Sequence, residues 1–80
     1  MDNTTLFNIE EIKDALVGTT LIEVYEALKE KGYDPVSQIV GYLVSGDPGY
    51  ITNYKNVRDK IQTIERSKIL ETLVKEYLED

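Results

Sequence analysis

Apolar residues recur along this chain at the spacing of an α-helix, and glycines and Asp-Pro pairs interrupt the pattern. This pattern limits the folds that the chain can adopt. In the clearest instance Leu21, Val24, Tyr25 and Leu28 recur at i, i+3, i+4 and i+7, which places them on one face of a helix. Gly32 follows in a position suited to end that helix. No segment alternates apolar and polar residues as a half-buried strand would. The pattern therefore predicts an all-α protein.

Asp34-Pro35 marks the start of a further helix, because aspartate is a good N-cap and proline fits the first helical position. Its inward stripe is predicted to consist of Val36, Ile39, Val40 and Leu43. Later in the chain, Asn56 is predicted to cap one helix and Ser67 the last one, with a bend near 65–66. One unbroken helix over 56–79 is the alternative. We expect a compact bundle of about four short helices.

The N-terminal region is predicted to be less regular. Asn8 is placed to cap a short helical segment that Gly18 would end, and the capping-box pair of Thr20 and Glu23 would start the next helix. We therefore divide the chain into an N-terminal tail, flexible or partly helical, over 1–18, and a helical dimerisation and partner-binding domain over 19–80.

Composition excludes several kinds of site. The 80 residues fit one domain and include neither cysteine nor histidine. Disulfides, thiolate zinc sites and the commonest general base are therefore excluded, and we expect no metal site and no cofactor. Small domains without such devices usually gain stability by self-association, so we expect a homodimer.

The charge balance limits the choice of partners. Nine basic and 15 acidic residues give a net charge of −6, which disfavours binding to nucleic acid and to anionic membranes. No apolar run approaches the roughly 18 residues that a membrane span requires. The N-terminus has neither the basic nor the apolar region of a signal peptide. These features predict a cytoplasmic protein without membrane insertion.

The stretch SGDPGY at 45–50 invites comparison with a phosphate-binding loop. Such a loop needs Lys-Ser/Thr and a helix after its glycines, and both are missing at this place. We interpret Gly46, Asp47 and Pro48 as a structural turn, in which Gly46 ends one helix. Tyr50 and Tyr54 are predicted to anchor the following connection on the core, and they are also candidates for partner binding.

The charged residues do not assemble a recognisable catalytic set. The paired carboxylates fall on predicted exposed faces and ends, whereas acid–base catalysis needs carboxylates in different environments. We therefore expect no enzyme activity and no catalytic residue. Arg58 and Arg66 are candidates for binding an acidic partner, and pairing with Asp59 and Glu65 within their own helices is the structural alternative.

Three stretches, EALKEKGYDPVSQIVGYLVSGDPGYI, NVRDKI and ERSKILETLVKEYL, together resemble the IreB family of small bacterial regulators, for which ReoM is another name. The resemblance covers residues 24–78 and implies a helical, dimeric, cytoplasmic, non-enzymatic protein of Gram-positive bacteria. Members of this family are substrates of PASTA-domain Ser/Thr kinases, opposed by a phosphatase. Their phosphorylation state controls peptidoglycan synthesis and antibiotic tolerance through Clp-dependent proteolysis of the first committed enzyme of that pathway.

The resemblance also implies a phosphoacceptor threonine in the N-terminal tail, shortly before an aromatic-Asn pair. Phe7-Asn8 forms that pair here, and counting back places Thr4 at the acceptor position, with Thr5 as the alternative. The leading hypothesis is a regulator that is switched by this phosphorylation and acts by binding a downstream protein. A constitutive helical adaptor that phosphorylation does not control is the alternative hypothesis.

Two departures from the family pattern concern the predicted binding surface. Family members commonly continue with Ile-Pro-Arg where this chain has Ile-Thr-Asn at 51–53, and many carry basic residues where it has Gln-Thr at 62–63. Arg58 and Arg66 do match arginines of the family. The arginine-bearing surface is therefore reduced here, which puts a partner interface shared by the whole family in question.

Overall fold

The computed structural model of the chain describes residues 8–79. This part contains four α-helices, which we number α1 (Ile9–Glu30), α2 (Pro35–Ser45), α3 (Val57–Gln62) and α4 (Arg66–Leu78). Two short 3₁₀ turns, Pro48–Tyr50 and Tyr54–Asn56, lie between α2 and α3. No strand occurs within residues 8–79. The predicted all-α class with about four helices is confirmed.

Helix α1 is longer than predicted. It runs without interruption for 22 residues, so the prediction that Gly18 ends a short segment is wrong. A glycine inside a helix costs only about 1 kcal/mol relative to alanine, which does not outweigh the burial of the turns that follow. Asn8 caps the helix as predicted, since its side chain accepts the N–H of Glu10 at 2.8 Å. Thr20, predicted as a cap, is instead buried inside α1.

Helix α2 begins and ends at the residues with the strongest local signals. Asp34 accepts the backbone N–H of Ser37 at 3.3 Å, and Pro35 occupies the first turn. At the other end Gly46 adopts a left-handed φ of 78° and donates its N–H to the carbonyl of Tyr42 at 2.7 Å. A side chain is strained at that φ, which is why glycine suits the position.

Helices α3 and α4 are separate, with the bend where it was predicted. Glu65 rather than Ser67 is the residue that precedes α4. Asn56 precedes α3 as predicted, but its side chain makes no capping hydrogen bond. Lys55 and Asn56 both have positive φ, 56° and 66°, which is uncommon for two consecutive residues other than glycine. This backbone conformation turns the chain sharply into α3.

The core forms around the C-terminal part of α1, which packs against α2, α3 and the 3₁₀ turn before α3. Its buried members come from every helix and from the connection between α2 and α3. They are Val17, Val24, Ala27, Leu28, Tyr42, Leu43, Ile51, Val57, Ile61 and Ile69.

Candidate functional surfaces

The first candidate surface is an apolar groove between α1, α2 and α4. It has a volume of about 380 Å³ and is lined by hydrophobic side chains alone, namely Leu21, Ile22, Tyr25, Val36, Ile39, Val40, Leu43 and Leu73. Val36 and Val40 were predicted to point inward, and this is wrong, because Val40 is 51% exposed and Val36 still more so. The apolar period identifies a stripe on α2, but it does not say whether another helix of the same chain covers that stripe.

The walls of the groove continue along two helices. On α4, residues 70, 73, 74 and 77 share one face by their i, i+3, i+4 and i+7 spacing, and all four are exposed, with Tyr77 at 89%. On α2, Val44 continues the stripe of Val36 and Val40 at intervals of four residues and is also exposed. We call the groove with these two extensions the apolar face. Contiguous apolar surface of this kind usually marks an interaction site.

The turn after α2 has its own hydrogen bonds. The Oδ1 atom of Asp47 accepts the N–H of Gly49 at 2.8 Å, and Pro48 occupies the first position of the 3₁₀ turn. The N–H of Asp47 is donated to Ser45 Oγ at 3.0 Å. These hydrogen bonds lie within the turn and follow directly on Gly46, which ends α2.

Two arginines join the later helices to the backbone of α2 and of the connection that follows it. Arg58 donates its Nε–H to the carbonyl of Ile51 at 2.8 Å, and Arg66 donates from Nη1 to the carbonyl of Leu43 at 3.0 Å. A side chain at position 46 would come within 2.8 Å of the Arg66 guanidinium, so Gly46 also makes room for it. Among residues 8–79, neither arginine forms an ion pair with a neighbouring carboxylate. Their capacity to bind a partner remains a prediction.

Tyr50 packs its ring against the backbone of α2. A Cβ atom at Gly41 would lie 2.5 Å from the ring, so glycine at this position lets the tyrosine approach the helix without displacement. The carbonyl of Tyr50 accepts a hydrogen bond from Gln38 Nε2 at 3.0 Å. Ile51, the next residue, is fully buried. Tyr50 therefore holds the connection against α2, while its ring remains partly exposed.

Tyr54 joins the same connection to the C-terminal end of α1. Its hydroxyl donates to Glu30 Oε2 at 2.8 Å, and this hydrogen bond raises the pKa of Tyr54 and lowers that of Glu30. The ammonium groups of Lys31 and Lys55 lie 4.9 and 5.3 Å from the centroid of its ring, within the range of cation–π attraction. These contacts hold the chain just before the two residues with positive φ.

A second candidate feature is polar and joins the N-terminal part of α1 to α4. Lys68 Nζ lies 2.8 Å from Glu10 Oε2 and 3.0 Å from Asp14 Oδ1, and Lys75 Nζ lies 2.9 Å from Asp14 Oδ2. Thr72, which is 3% exposed, donates its hydroxyl to Asp14 Oδ1 at 2.8 Å. We call these five residues the clasp. The side chains of Lys68 and Asp14 are 15% and 22% exposed, so solvent screens their ion pair only in part.

The clasp shifts the ionisation of its members. Hydrogen bonds from Lys75, Lys68 and Thr72 hold the pKa of Asp14 well below its usual range, and those to Glu10 and Asp14 raise the pKa of Lys68. All four charged groups are therefore ionised at neutral pH, and none is prepared to exchange a proton with a substrate. The arrangement suits a structural contact between two helices.

Sequence reasoning missed the clasp. Glu10 and Asp14 are four residues apart, and Lys68 and Lys75 are seven apart, so each pair shares a helix face. This spacing is a usable signal only if α1 and α4 are known to be neighbours. Glu10 was assigned to a solvated face, and its side chain is indeed 51% exposed, even though it is also part of the clasp.

Thr4 and Thr5, the predicted phosphoacceptors, lie outside the described residues. Over residues 8–79 no group of acidic side chains is arranged to hold a metal ion. None of the helices in that range has both the length and the apolar character that crossing a bilayer requires.

Comparison with known families agrees with the resemblance seen in the motifs. The model of the family described as IreB regulatory phosphoprotein matches residues 2–79. The match covers nearly the whole chain, including the tail with Thr4 and Thr5, the helices of the apolar face and both sides of the clasp.

Proposed function

The chain belongs to the IreB regulatory phosphoprotein family, and from this premise we propose that it is a non-enzymatic regulator that acts by binding other proteins. Phosphorylation of Thr4, with Thr5 as the alternative acceptor, controls that binding. The observation that carries the proposal is the family match over residues 2–79, since the family is described as one of regulatory phosphoproteins. The exposed apolar face supports action through protein contacts.

The pathway follows from what the family resemblance implies. In this proposal a PASTA-domain Ser/Thr kinase and a phosphatase set the phosphorylation state in the cytoplasm. The downstream partner belongs to the machinery for Clp-dependent proteolysis of the first committed enzyme of peptidoglycan synthesis. Control of that enzyme then sets tolerance to antibiotics that act on the cell wall.

Phosphorylation would change the electrostatics of the tail strongly. One phosphate adds nearly two negative charges to a chain with a net charge of −6. Glu10 and Glu11 already follow the tail in the first turn of α1, so this end of the molecule would become markedly acidic. A partner with clustered arginines would bind the phosphorylated form more tightly, and an acidic partner would bind it less tightly.

Incubation with the cognate kinase, followed by mass spectrometry, tests the switch. We expect one phosphate on the wild-type chain, its loss in Thr4→Ala and its retention in Thr5→Ala; the reverse result would assign Thr5. Absence of phosphate from both threonines would overturn the proposal. A pull-down with phosphorylated and unphosphorylated chains then identifies the partner, and equal capture by both forms would favour the constitutive adaptor.

We further propose that a second copy of the chain covers the apolar face. The face spans α1, α2 and α4, and its exposed side chains include Ile22, Val40 and Leu73. A two-fold dimer places the same patch of both copies in contact, so a single self-complementary apolar surface is sufficient to form it. Burial of this surface would supply stability that the chain, which has no cysteine, cannot gain from disulfides.

Sedimentation velocity at micromolar concentration tests the dimer. We expect the wild-type protein to show an apparent mass of twice the 9.1 kDa of one chain, and Val40→Lys to show the mass of a monomer. Gln62→Lys adds the same charge at an exposed position of α3 outside the apolar face and should remain dimeric. A monomeric wild type would contradict the dimer, and a dimeric Val40→Lys would show that another surface forms it.

A further inference from the structure

Helix α1 is continuous, but only part of it belongs to the core. Its first buried residue is Val17, and every residue from 9 to 16 is exposed or half-buried. Ile9, Ile12 and Leu16 lie on one side of this segment with 67%, 52% and 55% of their surface exposed. The first two turns of α1 therefore gain little from apolar burial.

The clasp supplies the close polar contacts of this segment with the rest of the molecule. Glu10 and Asp14 meet the two lysines of α4, and Thr72 completes the set. Beside these contacts, between α1 and the bend before α4, lies an open cleft of about 500 Å³ that Leu16 helps to line. Ion pairs therefore hold the segment on α4, and the cleft beside them is not filled by side chains.

The boundary between the two parts of α1 has weak helix formers. Gly18 is followed by Thr19 and Thr20, and glycine is about 1 kcal/mol less favourable than alanine inside a helix. A Cβ atom at Gly18 would meet nothing within 4 Å, so no neighbour requires glycine here. The effect of Gly18 on this junction is therefore the conformational freedom that glycine gives to the backbone.

We propose that residues 9–16 form a releasable arm, which the clasp holds on α4, which opens at the junction with Val17 and Gly18, and which a phosphate on the tail releases. Only the last part rests on the proposed function. Opening would expose Val17 and Thr72, both now buried, and would widen the cleft below the arm. The device would give a modified tail a way to change the shape of the helical body.

The phosphate would act by competing for the lysines. Thr4 lies four residues before Asn8, the cap of α1, a separation that an extended chain spans with roughly 14 Å. A tethered phosphate has a high effective concentration near Lys68 and Lys75, and it is a stronger acceptor than a carboxylate. Glu71 lies 3.5 Å from Lys68, so the three carboxylates around the two lysines already outnumber them. Each ammonium group that turns to the phosphate is therefore lost to the arm.

Amide hydrogen exchange of the full, unphosphorylated chain tests the arm itself. We expect Lys68→Met to speed exchange at residues 13–17 by roughly tenfold and to leave residues 24–28 unchanged. Gly18→Ala should slow exchange of the arm by about fivefold, because alanine favours the closed helix. Lys60→Met is the matched control, since it removes the exposed pair with Glu23 in the other part of α1 and should not affect the arm.

Two results would overturn the arm. If Lys68→Met leaves the exchange of residues 13–17 unchanged, the clasp does not hold the segment. If it speeds exchange equally in residues 24–28, α1 opens as a single unit and Gly18 is not a hinge.

Total chemical synthesis of the chain with phosphothreonine at position 4 tests the release without a kinase. We expect faster exchange at residues 13–17 than in the unmodified synthetic chain, and no such difference when both Lys68 and Lys75 are replaced by methionine. Unchanged or slower exchange would overturn release by phosphate, even if the kinase does modify Thr4. Conversely, failure of the kinase to modify the chain would refute the proposed function, but it would not affect the exchange results that define the arm.

Discussion

The two parts of α1 share one helix but are held in place by different forces. Residues 9–16 contain no buried side chain and contact α4 through ion pairs, whereas the part from Val17 onward contributes four residues to the hydrophobic core. Continuous backbone hydrogen bonding makes them one structural element. Tertiary burial, which supplies most of the stability of helices in proteins, divides them into two parts of unequal stability.

This difference shows how a small acidic domain can combine a helical segment held by ion pairs with a core held by apolar burial. Ion pairs near the surface are weak and respond to salt and to new charges, while apolar burial responds to neither in the same way. A charge added near the N-terminus of α1 therefore affects residues 9–16, which ion pairs hold on α4. It should have little effect on the stability of the core around Leu28.

Truncating one leucine in each part of α1 should give the largest difference in stability. Leu28→Ala removes a fully buried side chain in the second part of α1 and should lower the free energy of unfolding by about 2–5 kcal/mol. Leu16→Ala removes the same atoms from a side chain that is more than half exposed, and the loss should be below about 1 kcal/mol. Urea denaturation of both variants measures the difference, and equal losses would show that the first part is packed as well as the second.

Two glycines inside helices should respond to alanine with opposite signs. Gly41→Ala places a Cβ atom 2.5 Å from the Tyr50 ring and should cost about 1–3 kcal/mol, because the ring must move. Gly18→Ala meets no neighbour and should stabilise the chain by up to about 1 kcal/mol. Thermal and urea unfolding measure both changes. A loss of stability in Gly18→Ala would mean that the junction requires glycine for a reason other than flexibility.

Local signals in the sequence were sufficient for several elements of this fold. The Asp-Pro pair at 34–35, the cap at Asn8 and the bend at 65–66 depend on contacts within a few residues, and each appears where it was predicted. Gly18 was misjudged because its effect depends on whether the flanking turns find tertiary partners. Glycine is a weak helix breaker, and the buried turns after Val17 outweigh it.

The candidate surfaces were less predictable because they depend on which helices meet. Val40 belongs to an apolar stripe in any arrangement, but its exposure depends on the absence of a neighbouring helix over that side of α2. The contact of Asp14 with Lys68 joins residues more than 50 positions apart and has no local signature. Tyr50 against Gly41 is similar, since the glycine is explained by a ring from a later turn.

Replacing Thr72 by valine measures how much its hydroxyl adds to the ion pairs of the clasp. Valine keeps the shape of the buried side chain but removes the hydroxyl that donates to Asp14, and we expect a loss of about 1 kcal/mol. Thr19→Val is the control, because Thr19 is exposed and its replacement should change stability by less than about 0.5 kcal/mol. Equal stabilities of the two variants in urea denaturation would show that the hydroxyl adds nothing to the ion pairs.

Acid should detach the first part of α1 before it affects the second. The pKa values of Asp14 and Glu10 are lowered by the lysines, so their contribution is complete above the usual carboxyl range near 4 and is lost as the pH falls below it through the folded-state values. The pKa of Lys68 is raised, so its contribution is complete below the usual lysine value near 10.4 and is lost only as the pH rises above it.

Protection of residues 13–17 against amide exchange, corrected for the intrinsic pH dependence of exchange, should therefore be constant between about pH 5 and pH 10. It should decrease below pH 4, while residues 24–28 stay protected. The effect on global unfolding should be the smallest of the four, because the arm buries so little. In the double variant Lys68→Met/Lys75→Met the decrease in acid should be much weaker, because neither lysine then pairs with Asp14, and an undiminished decrease in that variant would assign it to carboxylates outside the clasp.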